Sequence, residues 1–154
     1  MKMEKKYANA YQPKGKIFIR GYAKTTDGLS VSDGPVFTAD VGEFIQLGEH
    51  ILGVLKIAGE IIPHPTQEQW KEREKSSPLL KEAGIKTWNA LMKTSKSVGI
   101  EFSNDKVILT PDRFGGTSGP NKGYHPLEDK KIICENLDPE TLGHALIQAF
   151  ERCE

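Results

Sequence analysis

Alternating apolar and polar residues predict two antiparallel strands at the start of the chain. The β-like runs Tyr7–Tyr11 and Lys16–Tyr22 are separated by residues 12–15, where Pro and Gly favour a turn, so together they predict a hairpin. After a loop from Thr25 to Gly34, a short third strand is predicted over Pro35–Ala39, because proline is tolerated at the start of a strand or at a sheet edge.

A helix is predicted from Asp40 onward. Asp40 and Glu43 have the spacing of a capping box, in which the two residues satisfy each other's backbone N–H groups. The apolar residues that follow recur at helical intervals and predict one buried stripe: Phe44, Ile45, Gly48, Ile51, Leu52 and Leu55.

The middle of the chain predicts three short helical segments. Thr66 and Gln69 again have capping-box spacing, and Trp70 is the large apolar anchor of that first turn. The second segment, 77–84, opens with Ser-Pro and ends with a glycine suited to a left-handed C-terminal cap. The third covers 88–92.

The clearest strand signal follows these helices. Residues 98–102 alternate between apolar and polar or small side chains, and a second β-like run, 106–110, follows the turn at 103–105, which predicts another hairpin. Residues 111–129 then predict a long polar, glycine-rich connection at the surface, and loops of that length are usually functional or mobile.

The C-terminal region predicts a last strand over 131–135 and a helix that is N-capped by Asp138 and starts at Pro139. The apolar residues of this helix fall on one face: Leu142, Ala145, Leu146, Ala149, Phe150 and Cys153. The order of elements predicts one α+β domain over 1–154, with an antiparallel or mixed sheet built from hairpins and helices packed against it.

Composition fits a soluble domain with its own core. The 154 residues carry 21 Lys and Arg against 21 Asp and Glu, and 37% of them are hydrophobic. No apolar run reaches the length of about 18 residues that a membrane span needs, and the polar N-terminal region is not typical of a secretion signal. We therefore expect a cytoplasmic protein without a membrane partner.

Cys134 and Cys153 lack C-x-x-C spacing and are expected as free thiols, and no cofactor or metal is expected.

Charge is unevenly distributed along the chain. Residues 2–24 hold seven Lys and Arg and one Glu, residues 25–55 hold five acids and neither Lys nor Arg, and residues 128–154 hold seven acids and three bases. One interpretation is chance scattering over solvated faces. The other is an acidic face that attracts a basic protein and repels nucleic acid, so direct nucleic-acid binding is not expected.

Candidate catalytic chemistry is sparse. The histidines do not pair at i+3 or i+4, and only His125 lies in the 111–129 connection, where active-site residues often lie. The glycines of that connection do not match the P-loop pattern, and the sequence has no nucleophile elbow. A small hydrolase or nuclease that uses His125 is therefore the alternative function, and a ligand-binding or oligomeric scaffold domain is a third.

Several segments resemble one protein family. They are Lys86–Lys93, Lys96–Ile100, Val107–Pro111, Gly123–Leu127, Pro139–Leu146 and Cys153-Glu154, and the likeness also takes in the hairpin Tyr7–Tyr22. On these segments the chain resembles the bacterial contact-dependent growth inhibition (CDI) immunity proteins, the CdiI family. The resemblance implies function by binding, without catalytic residues. Members bind the C-terminal toxin domain of a cognate CdiA effector and neutralise it in the cytoplasm, and the toxin is commonly a nuclease.

The implied partner and the charge pattern agree. A nuclease binds a polyanion, so its active cleft is typically basic, and an acidic inhibitor can occupy that cleft in a one-to-one complex. The candidate toxin-binding residues are first the acids of 25–55 and then polar or aromatic residues near the 111–129 connection: Asp27, Asp33, Asp40, Glu43, Glu49, Asp112, Arg113, Tyr124 and Glu128.

Some of these candidates also have purely structural interpretations. Asp40 fits a helix cap, Asp27 and Asp33 fit turns beside glycines, and Tyr124 fits the edge of the core. The sequence leaves both interpretations open.

Overall fold

The computed structural model describes residues 5–75 and 77–154 and forms one α+β domain, as predicted, with helices packed on a mostly antiparallel eight-stranded sheet. The strands are β1 (Lys6–Gln12), β2 (Lys16–Thr25), β3 (Ser30–Asp40), β4 (Ile61–Ile62), β5 (Lys96–Ser103), β6 (Lys106–Phe114), β7 (Tyr124–Pro126) and β8 (Ile132–Cys134). The helices are α1 (Phe44–Ile57), α2 (Gln67–Lys75), α3 (Pro78–Ala83), α4 (Trp88–Thr94) and α5 (Pro139–Glu151), with a 3-10 turn at Glu128–Lys130.

The sheet has the order β3-β2-β1-β5-β6-β7, with β4 beside β2 and β8 beside β6. Both predicted hairpins are confirmed, since Tyr11 of β1 lies opposite Phe18 of β2, and Ile100 of β5 lies opposite Leu109 of β6. The turn between β5 and β6 places residues 104–105 at φ of 53° and 61°, the left-handed region that tight hairpin turns require.

The main core lies between one face of the sheet and the helices α1 and α5. Strand residues such as Ala10, Ile19 and Val98 are fully buried there. The predicted apolar stripe of α5 is confirmed, because Leu142 and Phe150 are buried in the same core.

The helices α1 and α5 cross at their first turns with direct backbone contact. A Cβ atom at Gly48 would lie 1.8 Å from the Pro139 carbonyl oxygen, and one at Gly143 would lie 1.8 Å from the Phe44 carbonyl oxygen. Glycine at both positions therefore allows this close approach, which brings the N-terminal ends of the two helices together.

A second, smaller core covers part of the opposite face. Phe18 and Tyr11 pack there against leucines of α3 and α4, including Leu80 and Leu91. Trp88 of α4 meets the Tyr11 ring edge-on, with ring centroids 5.7 Å apart. The remaining part of this face is not covered by these two helices.

The predicted helix starts in the middle and at the end of the chain are confirmed. Thr66 N–H donates to Gln69 Oε1 at 2.9 Å and Gln69 N–H donates to Thr66 Oγ1 at 3.2 Å, a complete capping box for α2. Ser77 caps α3, which ends at Gly84 with φ 69°, and Asp138 caps α5.

The predicted start of α1 at Asp40 is wrong. Asp40 pairs with Lys16 as the last residue of β3, and Glu43 is the N-cap of the helix. One of the two hydrogen bonds of the expected capping box is present, because Asp40 N–H donates to Glu43 Oε1 at 3.0 Å. The other is replaced, because Glu43 N–H donates to the backbone carbonyl oxygen of Asp40 and not to its side chain. The β-ladder therefore extends through the position that the sequence pattern favours as a helix cap.

Two connections are shorter than predicted. The third strand occupies Ser30–Asp40 instead of 35–39, because its pairing with β2 continues from Asp40 back to Ser30 beyond a bulge. Likewise, the 111–129 connection is not free of regular structure: β6 continues to Phe114, and β7 pairs with it. Only 115–123 separates these two strands.

Backbone groups of the edge strand β3 bond to side chains from neighbouring helices. His50 of α1 lies with Nε2 3.0 Å from the Thr38 carbonyl oxygen, and Arg73 of α2 donates to the Ser32 carbonyl oxygen at 3.2 Å. Together with the Asp40–Glu43 hydrogen bond, these contacts give backbone groups of β3 hydrogen-bond partners outside the ladder with β2.

Candidate functional site

Three carboxylates converge where α1 and α5 cross. Glu43 and Glu49 belong to the N-cap and second turn of α1, and Glu140 belongs to the first turn of α5. They line a surface concavity of about 580 Å³, here called the acidic concavity, whose lining residues include neither Lys nor Arg. Ile45 lies in the same concavity and is 55% exposed. An exposed apolar side chain among like charges suits a basic protein surface that carries an apolar residue.

An aromatic stack fixes the two helices beside the acidic concavity. The His144 ring stacks on Phe44 with ring centroids 3.9 Å apart, and His144 Nε2 lies 3.8 Å from Glu140 Oε1. Because Phe44 begins α1 and His144 belongs to the second turn of α5, the stack holds the N-terminal ends of both helices together. Glu140, which the sequence analysis did not select, is thereby placed with Glu43 and Glu49.

The other acids of 25–55 lie elsewhere. Asp27 Oδ2 is 3.5 Å from His64 Nδ1 at the turn between β2 and β3, and Asp33 Oδ1 is 3.6 Å from Arg73 Nη2. Asp27 precedes β3, whereas Asp40 is the last residue of that strand. The structure therefore brings only Glu43 and Glu49 of the five selected acids into the acidic concavity.

Asp40 lines a separate cavity of about 550 Å³ between the β1–β2 turn and the helices α3 and α4. Lys14 and Lys16 lie at the same cavity, and Phe18 contributes an apolar wall. The carboxylate of Asp40 thus has cationic neighbours, unlike those of the acidic concavity.

Asp112 is the acceptor at the end of a hydrogen-bond chain across three strands. Asn9 Nδ2 donates to Ser97 Oγ at 2.9 Å, and Ser97 Oγ donates to Asp112 Oδ2 at 2.7 Å. Burial raises the pKa of the Asp112 carboxyl, although the Ser97 bond and nearby His125 act in the opposite direction. These two hydrogen bonds connect β1, β5 and β6 on the sheet face opposite α1 and α5.

Tyr124 and His125 make contacts within the fold. The Tyr124 hydroxyl donates to the Ser95 carbonyl oxygen at 2.9 Å, and burial raises the pKa of Tyr124 to about 12. His125 Nε2 lies 2.8 Å from the Asn121 carbonyl oxygen, and His125 pairs with Arg113 in the β6–β7 ladder. The hydrogen bonds of Tyr124 and His125 thus hold the β6–β7 hairpin and its loop in place.

Glu128 and Arg113 are the more exposed members of the second group of candidates. Glu128 Oε2 lies 3.8 Å from Lys131 Nζ, and both side chains are largely exposed. An exposed pair of this kind contributes little to stability, so Glu128 remains accessible to a partner.

A cleft on the sheet face opposite the acidic concavity contains one of the predicted candidates, Asp33, among residues that were not selected from the sequence. Both tryptophans of the chain, Trp70 and Trp88, line this cleft of about 540 Å³, together with Arg20, Asp33 and Arg73. We call it the tryptophan cleft. A single large apolar residue in the polar sequence of α2 was the signal that could have indicated it.

Arg20, which lines the tryptophan cleft, lies opposite the β-bulge of β3. Residues 34–36 of β3 lie opposite the single residue Arg20 of β2, because Ile19 pairs with Phe37 and Gly21 pairs with Asp33. Arg20 Nε donates to the Gly34 carbonyl oxygen at 3.0 Å, within the bulge. Bulges reorient side chains and are frequent beside functional sites.

Among residues 5–75 and 77–154, no three His, Cys, Asp or Glu side chains converge as metal ligands would. Of the helices described, none is long and apolar enough to cross a membrane.

A protein-family comparison gives one match. The family model described as CDI immunity protein (CdiI) matches residues 39–153. This range includes all three acids of the acidic concavity and the 86–146 segments noted in the sequence, but not the hairpin at 7–22. A search of curated proteins found no match.

Solved structures share the fold. A protein of unknown function from Neisseria meningitidis is similar with a TM-score of 0.75 and 18% identity, over 100% of this chain and 98% of that chain. A chain of a CdiA-CT/CdiI toxin and immunity complex from Yersinia pseudotuberculosis is similar with a TM-score of 0.73 and 19% identity, over 100% of both chains. At these identities the similarity establishes the fold.

Proposed function

The chain belongs to the CDI immunity protein family, and from that membership we propose that it binds and neutralises the C-terminal toxin domain of a cognate CdiA effector. The observation that carries the proposal is the family match over residues 39–153. Neutralisation is by stoichiometric binding in a one-to-one complex in the cytoplasm, without catalysis and without a cofactor.

The acidic concavity supports a basic toxin surface, and hence a nuclease, as the target. Glu43, Glu49 and Glu140 present three carboxylates around exposed Ile45, with neither Lys nor Arg in the lining. Nucleases bind polyanions through basic clefts, so the concavity and such a cleft are complementary in charge. We place the main toxin contact on this side of the molecule.

Co-expression with the CdiA C-terminal toxin domain from the same locus tests the proposed function. We expect the chain to restore growth of toxin-producing cells and to co-purify with the toxin as a one-to-one complex. A chain that neither restores growth nor binds the toxin domain in purified form would contradict the immunity function.

A separate experiment tests whether the toxin is a nuclease. The purified toxin is incubated with RNA and DNA, with and without the chain. If the nucleic acid stays intact when the chain is absent, the nuclease assignment is wrong.

Charge reversal tests the acidic concavity. The double substitution Glu49→Lys and Glu140→Lys should slow association about tenfold at low salt and weaken its dependence on ionic strength, because steering by the concavity is lost. Stopped-flow association at several salt concentrations measures both effects. The matched control, Glu60→Lys and Glu135→Lys, makes the same change of net charge at exposed positions outside the concavity. Equal association rates for the two double variants would rule out this surface.

A further inference from the structure

The tryptophan cleft has the composition of an interface anchor. Trp88 is 39% exposed, and Trp70 is only partly buried, with its ring edge-on to His64 at 5.8 Å. Tryptophan and arginine are the residues most enriched among those that dominate protein–protein binding energy. The cleft collects both tryptophans of the chain together with two arginines.

One wall of the cleft is held by few contacts. None of the described side chains of α2 belongs to either hydrophobic core. On this helix, Arg73 joins β3 through the Ser32 carbonyl oxygen and the Asp33 carboxylate, at 3.2 and 3.6 Å. A wall attached mainly by polar contacts can adjust to an inserted side chain without disturbing a core.

The floor of the cleft holds a guanidinium without a carboxylate partner. Within the described part of the chain, Arg20 forms no ion pair, although it is half-buried, and its Nε bonds the Gly34 carbonyl oxygen. Two acids line the cleft, Asp33 and Glu72. Asp33 is paired with Arg73, and among the described contacts neither acid forms an ion pair with Arg20. Burial lowers the pKa of Arg20, and the charge of Arg73 acts in the same direction, whereas the charge of Asp33 acts in the opposite one. A half-buried guanidinium of this kind can form charge-assisted hydrogen bonds with a carboxylate that enters the cleft.

We infer that the tryptophan cleft is a second anchor for the toxin domain and receives an acidic side chain of the toxin beside an apolar one. The carboxylate binds the Arg20 guanidinium, and the apolar side chain lies between the indoles of Trp70 and Trp88. The inference rests on the proposed function. Of the residues that line the cleft, the charge pattern along the sequence indicates Asp33 but neither tryptophan and neither arginine.

The two anchors lie on opposite faces of the sheet. Ile19 and Gly21 point toward α1, whereas Arg20, between them on β2, points to the opposite face. Substitutions in the tryptophan cleft therefore leave the acidic concavity unchanged, and the two contributions to toxin binding can be measured separately.

Fluorine NMR detects occupation of the cleft directly. The chain contains two tryptophans, so 5-fluorotryptophan incorporated into this chain alone gives two resonances, assigned with Trp70→Phe and Trp88→Phe. On adding the purified toxin domain without the label, we expect both resonances to shift. Resonances that stay in place while the toxin is bound overturn the inference.

Affinity measurements by calorimetry test the anchor. Trp70→Ala and Arg20→Gln should each weaken toxin binding about tenfold or more. The controls are Lys24→Gln, which removes a cation from the same strand outside the cleft, and Ile133→Ser, which removes an exposed apolar side chain on β8; both should bind within about twofold of the unsubstituted chain. Thermal unfolding verifies the fold, and Trp70→Ala carries the test if Arg20→Gln is destabilised, because Trp70 belongs to neither core.

The outcomes separate the two proposals. Unchanged affinity of both cleft variants for a toxin that binds the unsubstituted chain overturns the tryptophan cleft as an anchor and leaves the immunity function standing. A toxin that does not bind the unsubstituted chain overturns the immunity function, and the inference fails with it.

Discussion

The substitution Gly48→Ala should destabilise the protein even though alanine favours a helix. The added Cβ atom would lie 1.8 Å from the Pro139 carbonyl oxygen, whereas real Cβ contacts essentially never fall below 3.0 Å. The helices α1 and α5 must therefore separate by about 1.2 Å, the difference between these distances. A gap of that order forfeits a quarter to a half of the dispersion energy of the contacts it opens.

The expected magnitude follows from two opposing effects. Overpacking of this kind costs about 3 kcal/mol, the upper end of the usual range, because the obstacle is backbone and cannot change rotamer. Replacing a glycine inside a helix by alanine increases the free energy of unfolding by about 1 kcal/mol. The net loss of about 2 kcal/mol corresponds to a fall in Tm of about 4–8 °C for a chain of this size.

The matched control is Gly53→Ala on the same helix. A Cβ atom there would meet only ring carbons of Phe37 at 3.8 Å, an ordinary contact. Gly53→Ala should therefore raise Tm, since only the gain in helix propensity remains. Thermal unfolding followed by circular dichroism, together with urea titration, measures both variants. A Gly48→Ala protein as stable as Gly53→Ala would refute the backbone contact between α1 and α5.

Two further predictions concern the side chains of His125 and Asp112. His125→Asn should leave toxin affinity and growth protection within about twofold, because binding does not depend on its chemistry; loss of protection would favour the hydrolase hypothesis. Asp112→Asn should raise Tm near pH 7, since its amide oxygen still accepts the Ser97 bond and the burial cost of the charge is removed. The pKa of the Asp112 carboxyl is raised in the folded state, so the folded chain holds this proton up to a higher pH than the unfolded chain does. The free energy of unfolding therefore falls as pH rises from the unfolded-state pKa through the folded-state pKa. At about pH 3 the carboxyl is protonated in both states, so the advantage of Asn should vanish there. A calorimetric Tm difference that is equal at both pH values would contradict this assignment.

Elements whose signals are local could be predicted from the sequence. The helix α5 has its cap at Asp138, its first residue at Pro139 and its apolar period within one segment, and all three are confirmed. The strand β7 lacks such a signal, because Tyr124–Pro126 is extended only through pairing with the continuation of β6. Likewise, the local capping signal at Asp40 is outweighed by the pairing of Asp40 with Lys16 on a different strand.

The candidate sites depend still more on distant contacts. The charge pattern selected Glu43 and Glu49, but Glu140 joins them only because Gly48 and Gly143 let two helices cross in direct contact. No pattern along the chain encodes that crossing.

The tryptophan cleft has the same origin. Trp70 fits the sequence interpretation as the apolar anchor of its own turn. The cleft forms because Arg73 of the same helix meets Asp33, a residue 40 positions earlier in the chain. Such a long-range ion pair cannot be read from the composition of either segment.

The hydrogen bonds of His50 and Arg73 to the backbone of β3 oppose self-association of the protein at high concentration. An unprotected edge strand invites pairing with another copy, the first step toward fibres and precipitates. A second copy that approaches β3 must first displace His50 and Arg73 from the carbonyl oxygens of Thr38 and Ser32. The proposed role requires a standing excess of free inhibitor over an incoming toxin, and an edge that opposes self-association keeps that reserve dispersed and available.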